Sequence, residues 1–160
     1  MYVALNHVNG AVAIIDTATN LKIPGIAVPG PLIGIAVSPD GSRVYVGSSN
    51  GPSVSVIDTM TKQIVATVPL VISPYGLAVS PDGSHVYVAL NHANGAVAII
   101  DTAVNLKIPG VAVGAQPRAF GLFIGPERPA ISSRAIPALG QWTLVILTLF
   151  LAVTGIGRFR

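Results

Sequence analysis

Cysteine is absent from this sequence of 160 residues, so the chain has neither a disulfide framework nor thiol chemistry. Charged residues make up only 9% of it, whereas apolar residues make up 51%. An apolar C-terminal segment accounts for part of this excess, and the rest requires a fold whose sheets are buried on both faces. The length allows one domain and a tail.

Surplus positive charge is absent from most of the chain, although the whole sequence has nine Lys and Arg and only six Asp and Glu. Up to Gly125, five basic side chains balance five aspartates. The excess lies beyond that point, in four arginines that accompany one acidic residue: Arg128, Arg134, Arg158, Arg160 and Glu127. A nucleic-acid-binding domain needs a basic patch on its folded part, so we predict no nucleic-acid partner.

A secretory signal is missing at the N-terminus, because Met1–Asn6 lacks a basic segment and a long apolar run. A C-terminal anchor alone would leave Arg158 and Arg160 outside the cell, against the positive-inside rule. We therefore expect the sequence to be the C-terminal part of a longer exported protein.

What the sequence does contain is an internal repeat. Residues 2–28 recur 85 positions later, at 87–113, with only three differences: Val8/Ala93, Thr19/Val104 and Ile26/Val111. A diverged copy lies between them, since the Ser-Pro-Asp-Gly turn that begins at Ser38 recurs at Ser80. The period is therefore about 42 residues, which is typical of repeat architectures.

Each repeat has four strand patterns, which in the third repeat cover Tyr75–Ser80, His85–Leu90, Ala96–Asp101 and Leu106–Val113. Asp-Gly and Asn-Gly pairs separate the first three, and such pairs adopt the positive φ of tight hairpins. Three segments are predicted to be equivalent innermost strands: Gly34–Val37, Gly76–Val79 and Gly121–Ile124. Four antiparallel strands in about 40 residues are typical of a β-propeller blade.

The Tyr-Val, Ser-Pro-Asp-Gly and Ile-Asp-Thr signatures recur in register over residues 2–125 and resemble the YVTN-type propeller repeat of bacterial and archaeal surface-layer and secreted proteins. The resemblance implies a propeller, of about seven blades in that family. This chain opens at a second strand, Tyr2–Asn6, and its array ends with a first strand, Arg118–Ile124. Twelve strands make three blades, so we expect an all-β, incomplete ring over residues 1–125 that needs missing blades or another chain.

Residues 126–135 read as a linker rich in Pro, Ser and Arg, and a segment of another kind follows at 136–160. Leu139–Gly157 carries no charge and as a helix would span about 28 Å, close to one hydrocarbon core. Trp142 suits the headgroup region, while Arg158 and Arg160 favour the cytoplasmic side. The pattern predicts one transmembrane helix in contact with membrane lipid; a buried helix of a soluble domain is the alternative.

The start of this segment matches a sorting motif, Ile-Pro-Thr-Leu-x-x-Trp, at Ile136, Pro137, Leu139 and Trp142. Together with the apolar helix and the basic end, it resembles the IPTL-CTERM signal of Gram-negative bacteria, with Ala138 in place of the threonine. The resemblance implies recognition by an exosortase-type membrane protease. It also implies an inner-membrane intermediate in the cell envelope, followed by display on the outer surface or secretion.

One ring needs only one active site, so a catalytic residue should break the symmetry of the repeat. The acidic residues instead recur at equivalent repeat positions, which leaves few candidate catalytic residues. Two such sets occur, and we interpret both as turn caps: Asp16, Asp58 and Asp101, and Asp40 and Asp82. His7 and His92 lie in equivalent turns, and the replacement of Arg43 by His85 looks like surface variation. The sequence predicts no catalytic residue, no cofactor and no metal site.

Two functions remain open for such a chain. The first is a surface-displayed, membrane-anchored propeller module with a binding or structural role. The second is the remnant of a propeller enzyme, such as a lactonase-like hydrolase, which fold analogy alone supports. An enzyme would require a cluster of acid, base or metal-binding residues that breaks the repeat symmetry.

Overall fold

The structure is a computed structural model that describes residues 1–7 and 9–118. Over these residues the chain is all-β, with eleven strands and no helix. The strands are β1 (Tyr2–Leu5), β2 (Ala11–Ile15), β3 (Lys22–Ala27), β4 (Leu32–Val37), β5 (Arg43–Ser48), β6 (Ser53–Asp58), β7 (Gln63–Pro69), β8 (Pro74–Val79), β9 (His85–Leu90), β10 (Ala96–Asp101) and β11 (Leu106–Ala112). The strands predicted for the third repeat are confirmed, each end lying within one residue of its expected position.

Consecutive strands pair antiparallel into three sheets. Sheet 1 is β1-β2-β3, sheet 2 is β4-β5-β6-β7 and sheet 3 is β8-β9-β10-β11. Because the strands follow one another in chain order, short turns suffice to connect them. The turn before the last strand of each sheet has one residue with positive φ, at Asn20, Lys62 or Asn105. Asparagine tolerates this conformation better than most residues do.

Successive side chains of a strand point to opposite faces of its sheet, and most of them are apolar here. Both faces of a sheet are therefore apolar. The forward face of a sheet is the one directed toward the next sheet along the chain, and the rear face is the opposite one. In the first core, the forward face of sheet 1 packs on the rear face of sheet 2, through Val12, Ile14, Ile26 and Val28 against Val44, Val46 and Ile57. In the second core, the forward face of sheet 2 packs on the rear face of sheet 3, through Tyr45, Val54, Val56 and Val68 against Leu77, Val79, Val86, Val88 and Ile100.

The two innermost strands, β4 and β8, are buried to different extents. Leu77, Ala78 and Val79 of β8 are all buried, as predicted for a strand that is apolar on both faces. In β4, by contrast, Val37 is 44% exposed, although its equivalent Val79 is only 6% exposed. Strand β4 lies beside β8, whereas sheet 1 has no inner strand among the described residues that could lie beside β4 in the same way. The inner edge of sheet 1 is therefore open in the described part of the chain.

Three predicted features lie outside the described residues: the inner strand at Gly121–Ile124, the linker at 126–135 and the segment at 136–160. Within residues 1–7 and 9–118, no helix is long and apolar enough to span a membrane. The transmembrane helix predicted at 139–157 therefore stays a prediction.

Candidate functional site

A polar groove lies between two equivalent turns, the β4–β5 turn of sheet 2 and the β8–β9 turn of sheet 3. It encloses about 350 Å³, and six polar residues line it: Ser38, Asp40, Ser42, Arg43, Asp82 and Thr102. Both turns carry the Ser-Pro-Asp-Gly sequence, in which the glycines, Gly41 and Gly83, adopt positive φ. The groove is thus a product of the repeat, because two copies of one turn form its walls.

Asp40 is held on both sides by serine hydroxyls. Its Oδ1 accepts hydrogen bonds from the Ser38 hydroxyl at 2.5 Å and from the Ser42 amide at 3.0 Å. Its Oδ2 accepts one from the Ser42 hydroxyl at 2.7 Å. The Ser38 oxygen in turn accepts the Arg43 amide at 2.9 Å, which closes the turn. Asp82 is held at the same distances by Ser80 and Ser84.

These hydrogen bonds favour the charged form of both carboxyl groups. The Ser38 hydroxyl, followed by the Ser42 hydroxyl and amide, lowers the pKa of Asp40 to about 2. The Ser80 and Ser84 hydroxyls likewise hold the pKa of Asp82 well below its usual range. A general base works best with a pKa near the operating pH, so neither aspartate suits that role near neutrality. The arrangement confirms the interpretation of both residues as turn caps.

The second set of aspartates caps the turns that follow β2, β6 and β10. In each turn one carboxylate oxygen accepts backbone amides: Asp16 from Ala18 at 2.8 Å and Thr19 at 3.1 Å, Asp58 from Met60 and Thr61 at 2.9 Å, and Asp101 from Ala103 at 2.8 Å. The Thr19 and Thr61 amides are the main cause of the lowered pKa of Asp16 and Asp58. Here too the predicted capping role is confirmed.

The interpretation of the Arg43-to-His85 replacement as surface variation is incomplete, because Arg43 has a specific partner. Its guanidinium forms an ion pair with Asp58, which is its cross-strand neighbour in the β5–β6 pairing. In sheet 3 the equivalent His85 lies opposite Asp101, but its Nδ1 lies 2.6 Å from the Ser84 hydroxyl instead. The register of the hairpin could have revealed the Arg43 pair, because the Asn-Gly turn fixes which residues oppose one another. The pair is partly exposed, so solvent screening keeps its contribution to stability small.

His7 and His92 lie at the opposite ends of the strands, in the exposed turns between β1 and β2 and between β9 and β10. Their Nδ1 atoms accept the backbone amides of Asn9 at 3.3 Å and Asn94 at 3.2 Å, which ties each ring to its own turn. Across the described part of the chain, no three His, Asp or Glu residues converge to form a metal site.

The predicted sorting residues all lie outside the described part of the chain. They are Ile136, Pro137, Leu139 and Trp142 of the motif, and Arg158 and Arg160 of the basic end. Their roles remain predictions.

Comparisons with known proteins identify the fold class. No family model matches the chain, and no curated protein matches it either. One similar solved structure is Kuenenia stuttgartiensis hydrazine synthase, a β-propeller-containing protein, at 32% identity and a TM-score of 0.65. The match covers 68% of this chain but only 31% of that protein. The chain therefore has a β-propeller-like all-β fold and spans less than a third of the neighbour's length.

The fold by itself does not specify an activity. This chain matches 424 chains of solved structures. A fold that occurs so widely carries many functions. The activity of the neighbour therefore does not transfer to this chain.

Proposed function

We propose that this chain is a surface-displayed, membrane-anchored propeller repeat module with a binding or structural role. The main support is the use of its acidic residues. Asp40 and Asp82 line the polar groove between the β4–β5 and β8–β9 turns, yet both oxygens of each carboxylate accept hydrogen bonds within their own turns. Such groups stabilise turns and offer no free base. A groove whose carboxylates are already engaged within their turns suits a binding or structural role.

The proposed route to the surface depends on the C-terminal segment. The apolar run at 139–157 would cross the inner membrane, with Arg158 and Arg160 on the cytoplasmic side. The motif at Ile136–Trp142 would lie at the non-cytoplasmic end of that run, with Trp142 in the headgroup region, where an exosortase-type protease would recognise it. The YVTN-like repeats support the same destination, because such repeats occur in surface and secreted proteins. The open sheet faces would be covered by further blades or by another chain.

The experiment is a fractionation of cells that contain the matching exosortase, using the chain with an export signal and an epitope near Ser132. The mature protein should lose its helix and appear at the surface or in the medium. Replacement of Ile136-Pro137 by Ala-Ala should leave it uncut in the inner membrane. Wild-type protein found soluble in the cytoplasm with an intact C-terminus would refute the proposal.

A second set of variants tests the membrane segment itself. Leu147→Lys with Phe150→Lys should prevent anchoring, because each charge at the bilayer centre costs about 2.5–3.5 kcal/mol on insertion scales. Ser133→Lys adds a charge outside the apolar run and should leave anchoring unchanged. If both sets behave alike, the segment at 139–157 does not act as the anchor.

A further inference from the structure

We propose that the polar groove between the two Ser-Pro-Asp-Gly turns binds an organic cation that carries N–H donors, namely a guanidinium or a primary ammonium group. This ligand class specifies the binding role proposed above and rests on it, although it does not depend on export or anchoring. Three features of the groove carry it: a buried residue whose hydroxyl has no partner, an excess of negative charge, and a surplus of hydrogen-bond acceptors over donors.

Tyr45 is the residue that points to a bound group. It belongs to the core between sheets 2 and 3, is only 2% exposed, and also lines the groove. Its hydroxyl makes no hydrogen bond within residues 1–7 and 9–118. Every fully enclosed polar side-chain atom in that part of the chain has a partner, so the Tyr45 hydroxyl is not enclosed and opens onto the groove. Buried tyrosine hydroxyls usually have a hydrogen-bond partner, which a ligand in the groove would supply.

The groove carries an excess of negative charge. Hydrogen bonds within their turns lower the pKa of Asp40 and Asp82, so both carboxyl groups are ionised near neutrality. Arg43 is the cation among the lining residues, but its guanidinium is paired with Asp58, which balances its charge. Burial raises the pKa of Tyr45, Arg43 lowers it and Asp40 raises it, so the hydroxyl is neutral and lies within electrostatic reach of both charged groups. Clefts lined by charge of one sign concentrate ligands of the opposite sign.

Most of the hydrogen-bonding capacity that remains in the groove is that of acceptors. An ionised carboxylate has about four acceptor sites, and Asp40 and Asp82 each use three of them within their turns. The Ser42 hydroxyl already donates its proton to Asp40 at 2.7 Å, and the Thr102 hydroxyl donates to a backbone carbonyl at 2.8 Å. Toward a ligand, these four side chains can therefore only accept. A group with several N–H donors and a positive charge fits such a lining best.

Other ligand classes fit the lining less well. Calcium takes six to eight oxygen ligands, whereas in the described part of the chain no three acidic or histidine side chains converge. A sugar hydroxyl both donates and accepts, so a polyol would need donors as well as acceptors. The groove encloses about 350 Å³, near the lower end of the range for small-molecule sites, which leaves room for the end of an alkyl chain as well as its cationic group.

NMR titration of the full 160-residue chain in mild nonionic detergent tests the ligand class. At constant ionic strength, methylguanidinium chloride should shift the amide signal of Gly83, which lines the groove, in a saturable manner. The signal of Gly51, in the β5–β6 turn at the other end of the strands, should not move. Tetramethylammonium has the same charge but no N–H donor, so it should bind at least about tenfold more weakly. Absence of a saturable Gly83 shift, or equal or tighter binding of tetramethylammonium, glucose or calcium, would overturn the proposal.

Tyr45→Phe is the most direct variant, because it removes a hydroxyl that has no partner in the described fold. Its thermal melting should match that of the wild type, while its affinity for methylguanidinium should fall about three- to tenfold. Tyr87→Phe is the matched control, since Tyr87 occupies the equivalent position in sheet 3 and lies outside the groove, and it should bind as the wild type does. Asp82→Asn should weaken binding at least about tenfold. Wild-type affinity in Tyr45→Phe, or equal losses in the two phenylalanine variants, would contradict the site.

Two further probes distinguish a free small molecule from a side chain of a partner protein. Free arginine and the blocked peptide acetyl-Ala-Arg-Ala-amide both present a guanidinium group with a net charge of about +1 at neutral pH. Tighter binding of the peptide would identify a basic side chain as the ligand, and tighter binding of the free amino acid would identify a small molecule. The cell fractionation described above does not depend on this titration, so a loss of binding and a failure of surface display are distinguishable.

Discussion

Truncation of Ile100 to alanine should strongly lower the free energy of unfolding. Its side chain is fully buried on the rear face of sheet 3, within the core shared with sheet 2. The change removes three carbons, and at about 0.8 kcal/mol per buried methylene the transfer term alone is about 2.4 kcal/mol. A residual cavity between two stiff sheets adds to this, so we expect a loss of about 2–5 kcal/mol.

Urea unfolding followed by circular dichroism would measure this loss, using purified chain in mild detergent. Domains commonly have about 5–15 kcal/mol of stability, so the expected effect is a large fraction of the total. Ile64→Ala is the matched control, because Ile64 lies on the edge strand β7 and is 37% exposed. It should lose less than half as much. Equal midpoints for the two variants would refute the assignment of Ile100 to a core between sheets.

Three further predictions test the inner strand, the turn geometry and the aspartates. Val79→Asp should unfold the array, because it buries an unpaired carboxylate, and an unchanged melting curve would contradict the inner-strand assignment. Gly34→Ala should lower stability by about 1–3 kcal/mol, since φ is +80° and a Cβ there would lie 2.8 Å from the Leu77 Cδ1; Gly41→Ala, at φ +72° with no atom nearby, should cost less in the same melting assay. Asp40 has a pKa of about 2 in the fold against the usual 3.8, so its stabilising contribution is complete above about pH 4 and is lost as the pH falls through 2. The difference between wild type and Asp40→Asn in thermal melts should shrink over that interval, and a difference independent of pH would contradict the capping bonds.

Much of the strand arrangement could be predicted from the sequence. The reason is that period-two apolar patterns and Gly-containing turns are local signals, and each recurs in register. The bounds of β9 and β10 agree with the prediction at both ends, and those of β8 and β11 differ by one residue. The capping role of the aspartates was predictable for the same reason, since an Asx-type turn is formed by residues two or three positions apart.

Features that depend on pairing between distant elements were harder to predict. Val37 and Val79 have the same sequence context. Val37 is nevertheless exposed, because sheet 1 has no inner strand among the described residues that would cover it. The ion pair of Arg43 with Asp58 could be predicted only by combining the patterns of two strands with the register that the Asn-Gly turn sets. The groove between the two Ser-Pro-Asp-Gly turns forms only when sheet 2 and sheet 3 lie side by side. None of these is encoded in a single local pattern.

The chain-ordered strands also determine how the protein should fold. Every pairing within a sheet joins neighbours in sequence, and such local contacts form quickly because little loop-closure entropy opposes them. Each sheet can therefore form as soon as its residues leave the ribosome, and the sheets can add one after another.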